Sequence, residues 1–461
     1  MGVDQVDPDE IRAMFSRAMS AMYRDEVPAY GTLMELVGDV NAAFLAAAPE
    51  EKARLDQLGE LERIDEERHG AIRLGTAREL YHMRRLFGVM GMYPVGYYDL
   101  SVAGVPVHST AFRPLEETAL RRNPFRVFTS LLRLDLVADA ALRDAAATVL
   151  AAREIFTPRC LALIDKAEAD GGLSQADATA FVAEALETFR WHAEANVSHE
   201  MYSRLHDAHR LVADVVAFKG PHINHLTPRT LDIDAVQAQM PERGIVPKAV
   251  VEGPPTRSVP ILLRQTSFKA LQEPVIFPDS QRAEQGSHTA RFGEIEQRGL
   301  ALTPRGQALY DRLLGDTRSR IAPAADGSNA GAYRAALAES FGAFPDDLET
   351  IRAQGLGYFR YSATGKPCAD PSRSADALVA EGVLRADPIV YEDFLPVSAA
   401  GIFQSNLGDG AAQAFAANPN RARFEEDLGA KVHDLFQQYA EIEARSLAQA
   451  RIALSKPGLP A

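Results

Sequence analysis

Cysteine is almost absent from this chain. Its 461 residues include two, Cys160 and Cys368, too few and too far apart for a disulfide framework or a cysteine-rich zinc site. No apolar run reaches membrane-spanning length. The opening residues, Met1-Gly-Val-Asp-Gln-Val-Asp7, are acidic and lack the apolar stretch a secretory leader needs. Val6 also spoils Gly2 as a myristoylation signal. A cytoplasmic protein without a membrane partner is expected. Positive charge is in deficit: 49 Lys and Arg against 63 Asp and Glu leave a net charge of −14, which argues against a nucleic-acid partner. A small anion is still permitted, because one local arginine can outweigh a diffuse negative surface. Three signatures are missing too: the Gly-x-Gly-x-x-Gly turn, the phosphate loop and the Gly-x-Ser-x-Gly elbow. Their absence counts against dehydrogenases, kinases and serine hydrolases.

What is present is histidine in a repeated setting. Glu67-Arg-His69-Gly-Ala-Ile-Arg73 and Phe218-Lys-Gly-Pro-His222-Ile-Asn-His225-Leu-Thr-Pro-Arg229 both read His-x-x-x-Arg. The segments around them repeat an order. In the first copy a strand at His69 is followed by an amphipathic helix over 76–90, capped by Thr76. Strands follow over 93–100, 105–112 and 125–134. In the second, a strand over 215–225 precedes a helix over 231–240 and strands at 248–252, 260–269 and 288–298. The chain is therefore expected to be α+β, with two paired βαβββ modules forming a curved sheet around a shared cavity. One catalytic domain over 1–461 is expected. It would comprise a helical N-terminal part (1–60), the first module (61–137), a helical insert (138–213), the second module (214–300) and a mostly helical C-terminal part (301–461). Residues 391–409 have no clear period and read as a lid or cavity wall.

Neutral imidazole is a common ligand for iron, zinc and manganese. On a strand, His69 and Arg73 point the same way, which sets a metal ligand beside a cation suited to an anionic substrate. Taken singly, each histidine is more simply a core residue. Their recurrence in equivalent places favours ligands, and aligning the repeats favours His225 over His222. A third, anionic ligand is sought in Gly293-Glu294-Ile-Glu296-Gln-Arg298; Glu294 is the choice and Glu296 the fallback, the bland alternative being ion pairs with Arg291 or Arg298. His192, His199, His206 and His209 read as solvated helix positions. His199-Glu200 begins like a zinc-protease motif, but Ser203 stands where its second histidine is required.

These stretches resemble the 2-oxoadipate dioxygenase/decarboxylase (2-hydroxyglutarate synthase) family. Arg291-Phe-Gly-Glu-Ile-Glu-Gln-Arg-Gly299, Val105-Pro-Val-His-Ser-Thr-Ala-Phe-Arg113 and residues 391–406 match its pattern as well, so the resemblance covers nearly the whole chain. It implies a fold like the vicinal oxygen chelate enzymes and a mononuclear Fe(II) held by His69, His225 and Glu294. It also implies a substrate-binding Arg73, with Val397 and Ser398 near the substrate. The implied reaction takes 2-oxoadipate and O2 to 2-hydroxyglutarate, the D form being expected, and CO2 in lysine breakdown. A 2-oxo acid can chelate iron through its C1 carboxylate and keto oxygen and act as its own electron donor. Arg73 would grip a substrate carboxylate with two parallel charge-assisted bonds, which lysine does less well. Two competing readings are a glyoxalase-type zinc or nickel isomerase and a non-catalytic small-anion-binding protein on the same fold.

Overall fold

The N-terminal helices form as the apolar spacing dictates. In Pro8–Glu26, the Asp7 side chain accepts from the Asp9 backbone N–H and Pro8 opens the first turn. The helix buries Ile11, Phe15, Met19 and Met22 on one face. Helices Pro28–Ala47 and Pro49–Gln57 follow. The computed structural model describes residues 5–268, 272–279, 286–289, 291–324, 326–395 and 419–455. Among them no helix is long and apolar enough to cross a membrane. The fold mixes α and β, and the chain divides into two compact units where the sequence suggests one domain. The first holds the described residues within 1–252, 265–297 and 396–432; the second holds those within 253–264, 298–395 and 433–461.

Thirteen strands are described. In the first unit β1 is Gln5–Val6, β2 Arg68–Leu74, β3 Tyr93–Asp99, β4 Val107–Arg113, β5 Arg126–Leu132, β6 Leu173–Ser174 and β7 Leu226–Pro228. Further on come β8 Leu263–Ser267, β9 Gln272–Val275, β10 Gly286–Thr289 and β11 Glu294–Arg298. The main sheet runs β3-β4-β5-β2-β7. Strands β2 and β5 are parallel, and β7 joins β2 antiparallel with the pairs Arg68↔Pro228, His69↔Thr227 and Gly70↔Leu226. The expected first module is present: β2, the helix Ala77–Val89 capped by Thr76, then β3, β4 and β5. Every residue of β4 and β5 is buried. A core of the N-terminal helices, the Ala77–Val89 helix, the insert helices and the segment Phe424–Val432 covers this sheet.

The second half departs from the expectation. The span 215–225 is no strand. His209 caps a helix, Arg210–Val216, by accepting from Leu211 N–H at 3.1 Å, and irregular backbone carries 217–225 to a strand of three residues, β7. Leu211, Val212, Ala213, Val215 and Val216 are all buried, so the run has no period to tell helix from strand. The expected strand at 248–252 is reduced to two isolated bridges, Pro247↔Phe268 and Glu252↔Gln265. The expected strand at 288–298 is broken into β10 and β11, with β10 turned aside to pair with β9.

The order nevertheless repeats. The first half runs β2-β5-β4-β3; in the second, Arg229 just past β7 bridges β11 in parallel, β11 pairs with β8, and β8 bridges the 252 segment. Aligning the His-x-x-x-Arg motifs equates Gly70 with Leu226, and these two face each other across the join. The halves are thus related by a local two-fold axis at that pair, with His69 and His225 flanking it. Gly70 is required there: a Cβ on it would lie 2.5 Å from Ile223 Cδ1 and 2.9 Å from His225 O.

In the second unit, β12 (Phe359–Ala363) and β13 (Leu384–Pro388) form an antiparallel pair beside the helix Leu435–Leu454, and the helices Pro304–Arg320 and Ala330–Phe341 pack on each other. Of the expected lid, residues 391–395 are described, and they are anchored. Arg298 donates to Tyr391 O at 2.8 Å and Asp393 O at 3.0 Å, and Tyr439 Oη donates to Asp393 Oδ2 at 2.6 Å. Val397, Ser398 and the remainder of 391–409 lie outside the described residues.

Candidate metal centre

His69, on β2, and His225, just before β7, meet across the strand join with ring centroids 5.2 Å apart and planes at 82°. Glu294 opens β11 beneath them. One ligand atom from each of the three lies within 4.8 Å of the others, and all three side chains are buried. Gly293 lets Glu294 come this close, because a Cβ at Gly293 would sit 1.6 Å from the Phe268 ring. His222 is not part of the group; its Nε2 lies 3.6 Å from Asp214 Oδ1 instead.

Hydrogen bonds set which atoms face inward. Thr227 Oγ1 donates to Glu294 Oε1 at 3.1 Å, so the hydroxyl oxygen accepts from His225 Nδ1–H at 2.9 Å. That fixes the tautomer with a lone pair on His225 Nε2. Gln265 Nε2 also donates to Glu294 Oε1, at 2.9 Å. Oε1 is therefore loaded, while Glu294 Oε2 and His225 Nε2 are buried with no hydrogen-bond partner among the described residues. A buried acceptor left this way costs about 1–3 kcal/mol unless an electrophile takes its lone pair. Two bare acceptors in one pocket, one imidazole and one carboxylate, fit a divalent metal.

Glu296, the fallback ligand, takes another place. Its Oε2 lies 3.0 Å from His69 Nδ1, while His69 Nε2 lies 3.1 Å from Glu294 Oε1. The two carboxylates share a strand face but flank opposite edges of one imidazole. Arg291 binds Glu273 at 2.8 Å, and Glu294 and Glu296 are fully buried rather than on a surface strand. Burial alone would lower the His69 pKa, but Glu296 and Glu294 outweigh it and raise it above the ordinary histidine value. For His225 burial dominates, with His69 and Arg73 adding to it against Glu294, and the pKa falls to about 4. His225 is thus neutral, as a ligand must be.

Arg73 lies two residues beyond Ala71 on the His69 face. Its Nη1 donates to Asp214 Oδ2 at 2.6 Å, and its side chain is 12% exposed. Its counterpart Arg229 is committed elsewhere: Nη1 donates to Glu67 Oε2 at 2.9 Å, in a buried network that also receives Arg126 at 2.8 Å. The helical histidines do not gather. His192 precedes the helix His199–Ala208, His199 and His206 are exposed on it, and His209 is the cap already described. Sequence reasoning missed Thr227, Gln265, Asp214 and His288. Thr227 alone carried a signal, lying two residues past His225 on one strand face.

The fold and this cluster define a protein whose buried group of two histidines and one carboxylate could hold a metal ion. The chain belongs to the 2-oxoadipate dioxygenase/decarboxylase family, whose sequence model matches residues 15–406. It is 60% identical over 457 residues to the 2-oxoadipate dioxygenase/decarboxylase of Pseudomonas putida, covering 98% of each chain. To the Escherichia coli protein of the same name it is 56% identical over 448 residues, covering 96% of this chain and 98% of that one. A crystal structure of the hydroxyglutarate synthase from Pseudomonas putida in complex with 2-oxoadipate superposes with a TM-score of 0.91 at 59% identity, over 98% of this chain and 100% of that one.

Proposed function

We propose that this protein is an Fe(II)-dependent dioxygenase and decarboxylase that converts 2-oxoadipate and O2 to 2-hydroxyglutarate, in the D form, and CO2, as a step of lysine degradation. The paired halves are read as a vicinal-oxygen-chelate-like frame, with His69, His225 and Glu294 as the iron ligands. The observation that carries the reading is the pair of bare, buried acceptors, His225 Nε2 and Glu294 Oε2, beside His69 in a chain of this family. Two imidazoles and one carboxylate on one side of a metal leave positions open on the other, the arrangement of non-haem Fe(II) oxygenases. Bound there, ferrous iron supplies chelation of the 2-oxo acid and activation of O2.

The chain's own residues do the rest. Glu296 holds the Nδ1 edge of His69, so Nε2 aims into the pocket, and Thr227 does the same for His225. Thr227 and Gln265 occupy Glu294 Oε1 and leave Oε2 for the ion. The three ligands are fully buried, which keeps water from competing and strengthens each charge interaction. Arg73 grips the substrate carboxylate remote from the keto group by two parallel N–H···O bonds, fixing which carbon faces the metal. Val397 and Ser398 are assigned as further substrate-binding residues.

The test is metal analysis of the purified protein combined with oxygen-electrode and CO2 measurements on 2-oxoadipate. One iron per chain, with O2 uptake matched by CO2 release, is expected. Activity with zinc or nickel in the absence of oxygen would favour an isomerase instead. Binding of the acid without turnover under any metal would favour an anion-binding protein.

A further inference from the structure

Asp214 belongs to a helix, Arg210–Val216, that the metal ligands do not use, yet it is 6% exposed and its carboxylate is shared on both oxygens. Oδ2 accepts from Arg73 Nη1 at 2.6 Å; Oδ1 accepts from His288 Nε2 at 2.8 Å. His288, from β10, has Tyr202 Oη at 2.9 Å from its Nδ1. One neutral tautomer satisfies every link: Tyr202 O–H donates to Nδ1, Nε2–H donates to Asp214, and Arg73 donates to the other oxygen. The His288 ring has little room to turn. Trp191 lies parallel to it at 6° and 6.3 Å, and Phe218 packs at 4.9 Å. With the Asn224 amide turned so that its oxygen accepts from Arg73 Nη1 at 3.0 Å and from His222 Nε2 at 3.0 Å, the guanidinium is held from a second direction.

The other half shows what such an arginine does without this apparatus. Arg229 reaches across the two-fold axis to Glu67; the position equivalent to Glu67 in the second half is Ile223, which offers Arg73 nothing polar. Arg73 is drawn instead to the carboxylate of Asp214, on the helix Arg210–Val216. We propose that Asp214, braced by His288 and Tyr202, is a positioning residue for substrate selection: it fixes Arg73 at one distance from the metal and so sets the length of 2-oxo diacid the site accepts. This rests on the reading of Arg73 as the carboxylate clamp. A long side chain that can roam would follow the carboxylate of a shorter acid; one pinned at Nη1 cannot, and a diacid one methylene shorter falls short of it.

The experiment is anaerobic calorimetric titration of the iron-loaded protein with 2-oxoadipate and with 2-oxoglutarate, for the wild type, Asp214→Asn and His288→Gln. Wild type is expected to prefer 2-oxoadipate by about tenfold or more. Asp214→Asn should weaken 2-oxoadipate about tenfold and 2-oxoglutarate less than threefold, with iron content unchanged. His288→Gln keeps a donor for Asp214 and should give about a threefold loss in the same direction, which reads the effect if Asp214→Asn folds poorly. Equal weakening of both acids, or unchanged selectivity in both variants, would make Asp214 merely structural and overturn the inference. A wild type that binds neither acid contradicts the proposed function itself, and the inference with it.

Discussion

In the first half of the sheet Arg73 pairs across to Ser130, and in the second its counterpart Arg229 bridges Glu296. That register puts Glu296 where the first half has Ser130, and Glu294 where it has Phe128. The histidines are duplicated but the carboxylates are not. Phe128 packs against Tyr98 at 5.2 Å, and Ser130 shares a hydrogen bond with Ser109 at 2.8 Å, so the equivalent positions in the first half serve packing. The arginines diverge in the opposite sense. Arg229 is consumed by the buried network at Glu67, while Arg73 is steered to Asp214. A duplicated frame therefore yields one candidate centre. Each half gives a histidine at the axis, the second half gives the acid, and the first gives the arginine on the pocket face.

The largest effects should separate the ligands from their neighbours. His225→Ala is expected to abolish metal binding and turnover, whereas His222→Ala should keep its metal; metal content by plasma emission decides it, and the reverse result reassigns the ligand. Arg73→Ala should lower kcat/KM by about a hundredfold or more while metal stays bound. The matching change in the other half, Arg229→Ala, should do the opposite. It breaks a buried ion network and is expected to cost about 3–5 kcal/mol of stability in urea unfolding, with metal still bound by the folded fraction. Glu296→Ala, which removes the partner of His69, should weaken metal affinity about 10- to 100-fold in chelator competition.

The smallest effect is on pH. His108, His222 and His225 are each pushed down to about 4, chiefly by burial. The unfolded chain then binds more protons than the native one between about pH 4 and 6.5. The contribution of these three to the stability of the metal-free protein is thus full above about pH 6.5 and falls as pH drops toward 4. His69, whose pKa is raised, contributes separately: its stabilisation is full below about pH 6.5 and is lost as pH rises through its raised value. Unfolding midpoints across that range check the sign, and a midpoint that rises on acidification would contradict it.

The first half was legible in the sequence because its signals are local. Thr76 caps its helix through Glu79 N–H, and β-branched and aromatic runs bounded by turns became β3, β4 and β5. The second half was less so. Its strands are short, its second strand is replaced by bridges, and the apolar run before Phe218 is buried on all sides and folds as a helix. The histidine and glutamate candidates could be named because a repeat and a two-residue spacing exposed them. The division of labour between Glu294 and Glu296 could not, since alternation puts both on one face and only the placement of His69 between them separates their roles. Asp214 and His288 carried no signal, as their partnership with Arg73 joins a helix, a hairpin and a strand far apart in the chain.

Anomalous diffraction from crystals loaded anaerobically with ferrous iron tests the central claim most directly. One peak per chain is expected, touching His69 Nε2, His225 Nε2 and Glu294 Oε2, with none over Phe128 and Ser130 in the first half. A peak held by Asp214, His222 and His288 instead, or none within reach of both His69 and His225, would contradict it.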